Sequence, residues 1–305
     1  MNTYAGVELG GTKCICVLGS GPDDIRDRVR LPTLDPSSTL AAIAGVLGEW
    51  NGGASPLAAI GIASFGPLDL RSGSPTYGRI GATPKPGWAH TDLSAYFRQR
   101  FDVPVGITTD VIGAALAEGR WGDGRGLRDF AYVTVGTGIG AGLIHDGRPL
   151  IGCHHPELGH VRVARAVGDA WPGHCSFHGA CIEGLASGPA IEARCGVPAA
   201  ELSPSDPVWA LVAHALGQLA HLLVASVAPQ RILMGGGVLS GRAQLFPEIR
   251  RCLAESLNGY LDIAELERGL DTYIVPPGLG ADAGPLGALV MAIDTRIPPT
   301  QHTAT

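Results

Sequence analysis

The sequence predicts an α/β protein made of two similar domains facing a cleft. Two observations carry this. Two short glycine turns, Gly10-Gly11-Thr12 and Gly136-Thr137-Gly138, each join two apolar segments of strand character, about half a chain apart. Each hairpin is followed by alternating strand-like and helix-like segments. That distance far exceeds the roughly 20–50-residue period of a solenoid, which is excluded.

Taken in order, residues 4–9 and 14–18 are the strands of the first hairpin. Residues 37–49 have helical spacing behind a Ser/Thr start, and 57–63 read as a buried strand ending in the turn Ser64-Phe-Gly-Pro67. Residues 71–90, rich in Gly, Pro, Ser and Thr, read as a long functional loop. A short strand at 104–109 leads into a helix that opens at Asp110 and runs to about Trp121. The second hairpin pairs 130–135 with 139–144. Residues 145–183 are irregular and His-rich. A long apolar helix is expected at 207–228, then a strand at 231–234 running into Gly235-Gly236-Gly237. A last helix is expected at 283–293, with a loose tail after Pro298. The domain boundary is expected near residue 112.

Composition narrows the function. The 305 residues are 45% hydrophobic and 16% charged, enough for sizeable cores and unlike a disordered or fibrous chain. A net charge of −6 argues against non-specific nucleic-acid binding, which needs a basic patch. No apolar run is read as a membrane span and no signal peptide is read at the N-terminus, so a cytoplasmic protein is expected, with no nucleic-acid and no membrane partner. Seven cysteines, an odd number in a large chain, disfavour a disulfide framework. The two lysines, Lys13 and Lys85, both fall in Gly- or Pro-punctuated segments where ligand loops are expected.

Three groups of residues could carry chemistry. Glycine turns let backbone N–H groups approach an anion closely, so Gly10, Gly11, Thr12, Gly136, Thr137 and Gly138 could hold a polyphosphate, with Gly235 and Gly236 against a nucleotide. Neither a P-loop nor a clean G-x-G-x-x-G pattern is present. His160, Cys175, His178 and Cys181 make a four-ligand set suited to structural Zn²⁺, with His154, His155 and His174 as possible substitutes. Asp110 stands at a strand-to-helix junction, where a helix N-cap is the competing role. Glu157, His160 and Glu183 are acids and an imidazole suited to a polyhydroxylated ligand.

In this combination the chain resembles the ROK-family sugar kinases, and within them the bacterial fructokinase branch. The resemblance is carried by Glu8-Leu-Gly10-Gly11-Thr12-Lys13, Ser64-Phe-Gly-Pro-Leu-Asp69, Thr83-Pro-Lys-Pro-Gly-Trp88 and Thr109-Asp110-Val111. It continues through Gly136-Thr137-Gly138-Ile-Gly140, His155-Pro-Glu157-Leu-Gly-His160, Cys175-Ser-Phe-His178-Gly-Ala-Cys181-Ile-Glu183-Gly184 and Gly235-Gly236-Gly237.

It implies an actin-like (ribonuclease H-like) ATPase fold: a domain over 1–112, with a C-terminal helix at about 283–298 packing back on it, and a second over 113–282 with a zinc loop at 153–183. It implies ATP-dependent phosphorylation of a hexose, with Mg²⁺ and structural Zn²⁺. Asp110 matches the catalytic base. Thr109, Asp110, Glu157, His160 and Glu183 match sugar-site positions, and His160 with Cys175, His178 and Cys181 the zinc ligands. Gly10, Gly11, Thr12, Lys13, Gly136, Thr137, Gly138, Gly235 and Gly236 would serve ATP, and Glu8 would orient Mg²⁺ through water.

Fructose is the expected hexose, and a homodimer the expected assembly. A ROK kinase for glucose, mannose or an amino sugar is one alternative. A non-catalytic sugar-binding or regulatory protein is another. Two departures stand out: Glu8 replaces the wider family's Asp, and Ile112 stands where Asn is usual.

Overall fold

The computed structural model describes residues 2–53, 55–262 and 264–296. The chain divides into two compact units. Unit 1 comprises residues 1–117, 151–155 and 282–305, and unit 2 comprises 118–150 and 156–281.

Unit 1 begins with β1 (Thr3–Leu9), β2 (Lys13–Gly21) and β3 (Asp24–Pro32), followed by α1 (Pro36–Asn51) and β4 (Leu57–Ser64). Then come α2 (Leu93–Arg98), β5 (Val105–Thr109) and α3 (Asp110–Trp121). The sheet order is β3-β2-β1-β4-β5. β1, β2 and β3 pair antiparallel in succession, while β4 joins β1 and β5 joins β4 in parallel. The edge strand β3 has no counterpart in the sequence expectation. Its residues DIRDRVRLP are rich in charge and largely exposed, as a protected edge should be, and Asp27 breaks the alternation of Ile25, Val29 and Leu31 that would mark a strand. α1 is capped by Asp35, whose side chain accepts the Ser38 N–H at 3.0 Å, rather than by the Ser/Thr pair.

Unit 2 repeats this plan. β6 (Phe130–Val135) and β7 (Ile139–His145) form the second hairpin, and β8 (Arg148–Pro149) extends it. The helices α4 (Ile182–Ala186), α5 (Gly188–Cys195) and α6 (Val208–Val227) precede β9 (Arg231–Gly235). After α7 (Leu245–Leu257), α8 (Ala264–Glu267) and α9 (Leu270–Tyr273) comes β10 (Ile274–Val275). The order β10-β9-β6-β7-β8 has the same pattern of parallel and antiparallel neighbours as the first sheet.

Two sequence expectations need correction. By length and composition α6 could cross a membrane; His214, Gln218 and His221 interrupt its apolar run in the sequence, which hides this. Its Val212, Ala213, Leu216, Leu219, Ala220 and Leu223 are buried in the core of unit 2, which identifies it as a core helix. The two units divide at 117/118, inside α3 and a few residues after the expected boundary near 112, and residues 151–155 belong to unit 1.

The last helix, α10 (Ala283–Thr295), completes unit 1 by packing on β1, β4 and β5. Residues 297 and 298 of its expected span, and the tail, lie outside the described residues. Glycines make this packing possible. Gly6, Gly61 and Gly106 are register partners across the three strands. A Cβ at Gly6 would stand 2.8 Å from the Leu289 nitrogen. One at Gly61 would overlap the Ala288 carbonyl oxygen and the Ala292 nitrogen. At Gly106 it would come within 2.8 Å of the Met291 carbonyl oxygen. Helix backbone therefore rests directly on sheet backbone. Gly61→Ala should destabilise the chain by about 1–3 kcal/mol through overpacking. Urea unfolding measures this, and an unchanged midpoint would show that α10 can shift at no cost.

Candidate active site

Unit 1 places its candidate residues at the C-terminal ends of parallel strands, where open α/β sheets bind ligands. Leu9, Ser64 and Thr109 lie side by side there. Asp110 follows β5 directly as the first residue of α3. The capping role belongs to its neighbour: Thr109 Oγ1 accepts the Ile112 N–H at 3.3 Å. Asp110 Oδ1 accepts the Val111 N–H at 2.9 Å. Burial pushes the Asp110 carboxyl up to about 6, opposed by hydrogen bonds from the Val111 amide and its own. Such a group is ionised at neutral pH yet more basic than an ordinary aspartate, which suits a general base. Ile112 is 2% exposed and belongs to the core of unit 1, so the apolar residue there fills space rather than facing a ligand.

Glu8 lies near the end of β1, against the first turn of α10. A Cβ at Gly284 would collide with its carboxylate, so the glycine there makes room for it. Burial, then the charge of Asp110, pushes the Glu8 carboxyl up to about 7, while Lys13 and Arg28 pull it down. A dication nearby would hold it ionised, so the cradle and the acid fit the Mg²⁺ role expected of Glu8.

The adjoining turn is closed by the Gly10 N–H on the Lys13 carbonyl at 3.0 Å. Thr33 Oγ1 donates to the Gly10 carbonyl at 2.8 Å. A Cβ at Gly11 would meet nothing within 4 Å, and Thr12 and Lys13 are exposed. The turn is thus braced from behind and open in front.

In unit 2 the second turn is fastened more tightly. The Gly136 N–H bonds the Gly138 carbonyl at 2.9 Å, and the Gly188 N–H bonds the Gly136 carbonyl at 2.8 Å. Gly236, at φ 96°, adopts a backbone conformation that side chains rarely tolerate, and a Cβ there would strike the Val135 backbone. The Val238 N–H then reaches the Val135 carbonyl at 2.9 Å. Gly235, Gly236 and Gly237 therefore lie beside the Gly136-Thr137-Gly138 turn. Glu183 Oε2 accepts the Ile139 N–H at 3.0 Å. Gly159 packs on the Ile139 carbonyl so closely that no Cβ would fit. The segments carrying Glu157, His160 and Glu183 are fixed in this way to the turn itself. Glu157 is exposed, and its carbonyl accepts the His160 N–H at 3.0 Å in a short 3-10 turn over Leu158–His160.

His160, Cys175, His178 and Cys181 converge, each offering an atom within 4.8 Å of the others. Cys175 Sγ lies 3.8 Å from His160 Nδ1 and 3.7 Å from His178 Nδ1, and Cys181 Sγ lies 3.7 Å from His160 Nδ1. Metal–ligand bonds of about 2.0–2.3 Å in a tetrahedron give edges close to these. The donor set, two imidazoles and two thiols, therefore fits Zn²⁺. Burial pushes the Cys181 thiol up to about 11, an effect that metal coordination reverses. His154, His155 and His174 do not join this group.

The comparisons with known proteins span nearly the whole chain. The model of the ROK family matches residues 4–295. The chain belongs to the ROK family. It is 42% identical over 297 residues to a fructokinase of Zymomonas mobilis, covering 95% of this chain and 96% of the relative. It is 39% identical over 286 residues to a fructokinase of Pediococcus pentosaceus, covering 94% and 96%. Among solved structures, a ROK hexokinase from Thermus thermophilus superposes with a TM-score of 0.74 at 25% identity, covering 95% of this chain and 98% of that one. The fold class expected from the motifs is thereby borne out.

Two residues of this ROK chain have roles that the sequence conceals. His155 is buried, and its Nε2 accepts the Leu68 N–H at 3.0 Å, so it anchors the loop after β4 and stands outside the His160 cluster. Lys85 reaches the first glycine turn and donates to the Gly11 carbonyl. Lys85 was signalled by lysine's rarity and its Pro-punctuated segment, whereas His155 read only as one more possible metal ligand.

The raised Glu8 and Asp110 carboxyls set a pH dependence. Below about pH 3 both are protonated, folded or unfolded, and no penalty exists. As pH rises the unfolded chain ionises first, so stability falls until pH passes the folded values of about 6 and 7. In metal-free buffer, Glu8→Gln should lose less stability than the parent between those limits. Urea midpoints across this range test it; parallel pH profiles would place Glu8 in contact with water.

Proposed function

We propose that this ROK-family chain is an ATP-dependent hexose kinase that phosphorylates fructose at its 6-hydroxyl. The observation that carries the kinase reading is Asp110, a half-buried carboxylate with raised basicity at the strand end beside an open glycine turn. The names of the fructokinase relatives support fructose, as do Glu8 and the Thr83–Trp88 and His155–Glu157 segments. Asp110 takes the proton as the sugar oxygen attacks the γ-phosphorus of ATP. The bond to the β-phosphate oxygen breaks, and ADP leaves. Amides of the Gly10-Gly11-Thr12 and Gly136-Thr137-Gly138 turns stabilise phosphate charge. Mg²⁺, oriented through water by Glu8, supplies further charge neutralisation when bound.

Unit 2 supplies the sugar-hydroxyl contacts of Glu157, His160 and Glu183. Glu183 Oε2 is already engaged by Ile139, which leaves Oε1 for a hydroxyl. His160 turns Nδ1 toward the two thiols and keeps Nε2 for the sugar. His160, Cys175, His178 and Cys181 would hold Zn²⁺, which when bound would pin a segment with little regular structure and so preorganise these contacts.

Asp110→Asn should retain fructose binding and lose roughly 10²–10⁴-fold in turnover. Coupled ADP release and calorimetry separate the two effects; near-normal turnover would remove Asp110 as the base. Across a hexose panel fructose should give the highest kcat/KM. A tenfold preference for glucose or N-acetylglucosamine, about 1.4 kcal/mol, would replace fructose and leave the kinase reading in place. One zinc per chain is expected by elemental analysis. Its removal should raise amide exchange in 160–183 and weaken fructose binding; full activity in zinc-free protein would sink this role.

A further inference from the structure

We infer that Lys85 is a phosphate-binding residue, which donates to the terminal phosphate of the nucleotide at the first glycine turn. The inference rests on the kinase reading and adds a charged contact from outside the turn. Lys85 is 74 residues from Gly11, yet its ammonium donates to the Gly11 carbonyl. An ammonium carries three donors, and Lys85 has no carboxylate partner among the described residues. A half-buried cation with spare donors, at the rim of an open glycine turn, is the complement of an anion.

Its presentation is rigid. Pro84 and Pro86 flank it and restrict the backbone on both sides. The Trp88 N–H closes a turn on the Lys85 carbonyl at 3.2 Å, with Gly87 at φ 78°. The Trp88 ring is fully buried, stands edge-on to Phe65 at 5.2 Å, and donates its Nε1–H to the Leu34 carbonyl at 2.9 Å. The whole loop is therefore anchored at Trp88 so that Lys85 meets the turn. A strut alone would need only one neutral donor. A lysine there adds a point charge where negative charge gathers during phosphoryl transfer.

The test uses the full chain with Mg²⁺ and β,γ-imido-ATP, with AMP as the control lacking the outer phosphates. Lys85→Met should weaken the triphosphate analogue on the order of 10- to 100-fold, the worth of one charge-assisted hydrogen bond, and leave AMP and fructose binding unchanged. Lys85→Arg should recover part of the loss. Equal losses for AMP and the analogue, or none, would overturn the inference in favour of a strut.

Should Lys85→Met fail to fold, the parent protein decides. With only two lysines in the chain, acetylation is readily followed by mass spectrometry. The analogue should slow acetylation of Lys85 about tenfold and AMP should not. Calorimetry on the parent separates the two readings. Binding of the analogue with Lys85 unprotected overturns this inference alone, while no binding removes the kinase reading with it.

Discussion

Gly6, Gly61 and Gly106 lie side by side across three parallel strands, and α10 sets its backbone on them. That seat determines much else in unit 1. Because α10 is so close, its first turn stands against Glu8, and Gly284 leaves that carboxylate its space. Unit 2 uses the same device at smaller scale, with Gly159 on Ile139 and Gly236 on Val135. In both units the chemistry sits on backbone held to backbone, with no side chain between to change rotamer. Positioning by this means suits phosphoryl transfer, in which the protein does little covalent work and catalysis is mainly geometry and charge.

The electrostatics of unit 1 follow from that closeness. Two carboxyls, Glu8 and Asp110, share a crowded strand end, and both resist ionisation, chiefly through burial. Their environments differ. Asp110 is helped by amides at the start of α3, whereas Glu8 feels the negative charge of Asp110 and is eased by Lys13 and Arg28. The aspartate therefore ionises first. The glutamate, the harder to ionise, stands to gain more from a dication.

The glycine turns and hairpins were legible because glycine punctuates strand-like runs at both sites. The Cys/His cluster was legible because C-x2-H-x2-C sets three donors in one short segment, with His160 upstream as a fourth. The bounds of α3 could be read from Asp110, although the capping that starts the helix comes from Thr109. Other features were hidden for physical reasons. β3 carries charge on an exposed edge, and Asp27 interrupts the alternation of Ile25, Val29 and Leu31 that would betray it. His155 reads as one more ligand in a His-rich stretch, and only its contact with Leu68, 87 residues away, gives it a different role. The glycine row is invisible in one dimension, since its members become neighbours only through strand register.

Unit 1 is discontinuous: its last helix arrives after the whole of unit 2 has been made. Synthesis runs at about 5–20 residues per second, so the strands of unit 1 await α10 for on the order of ten to thirty seconds. During that interval the glycine row faces no helix, and the strand faces beside it keep their apolar residues uncovered. Unit 2 needs only the contiguous stretch from 118 to 281, apart from 151–155, so its core can close first. The nascent chain is thus most exposed to aggregation in its oldest part, and loss of the final helix would leave the first-made sheet without its cover.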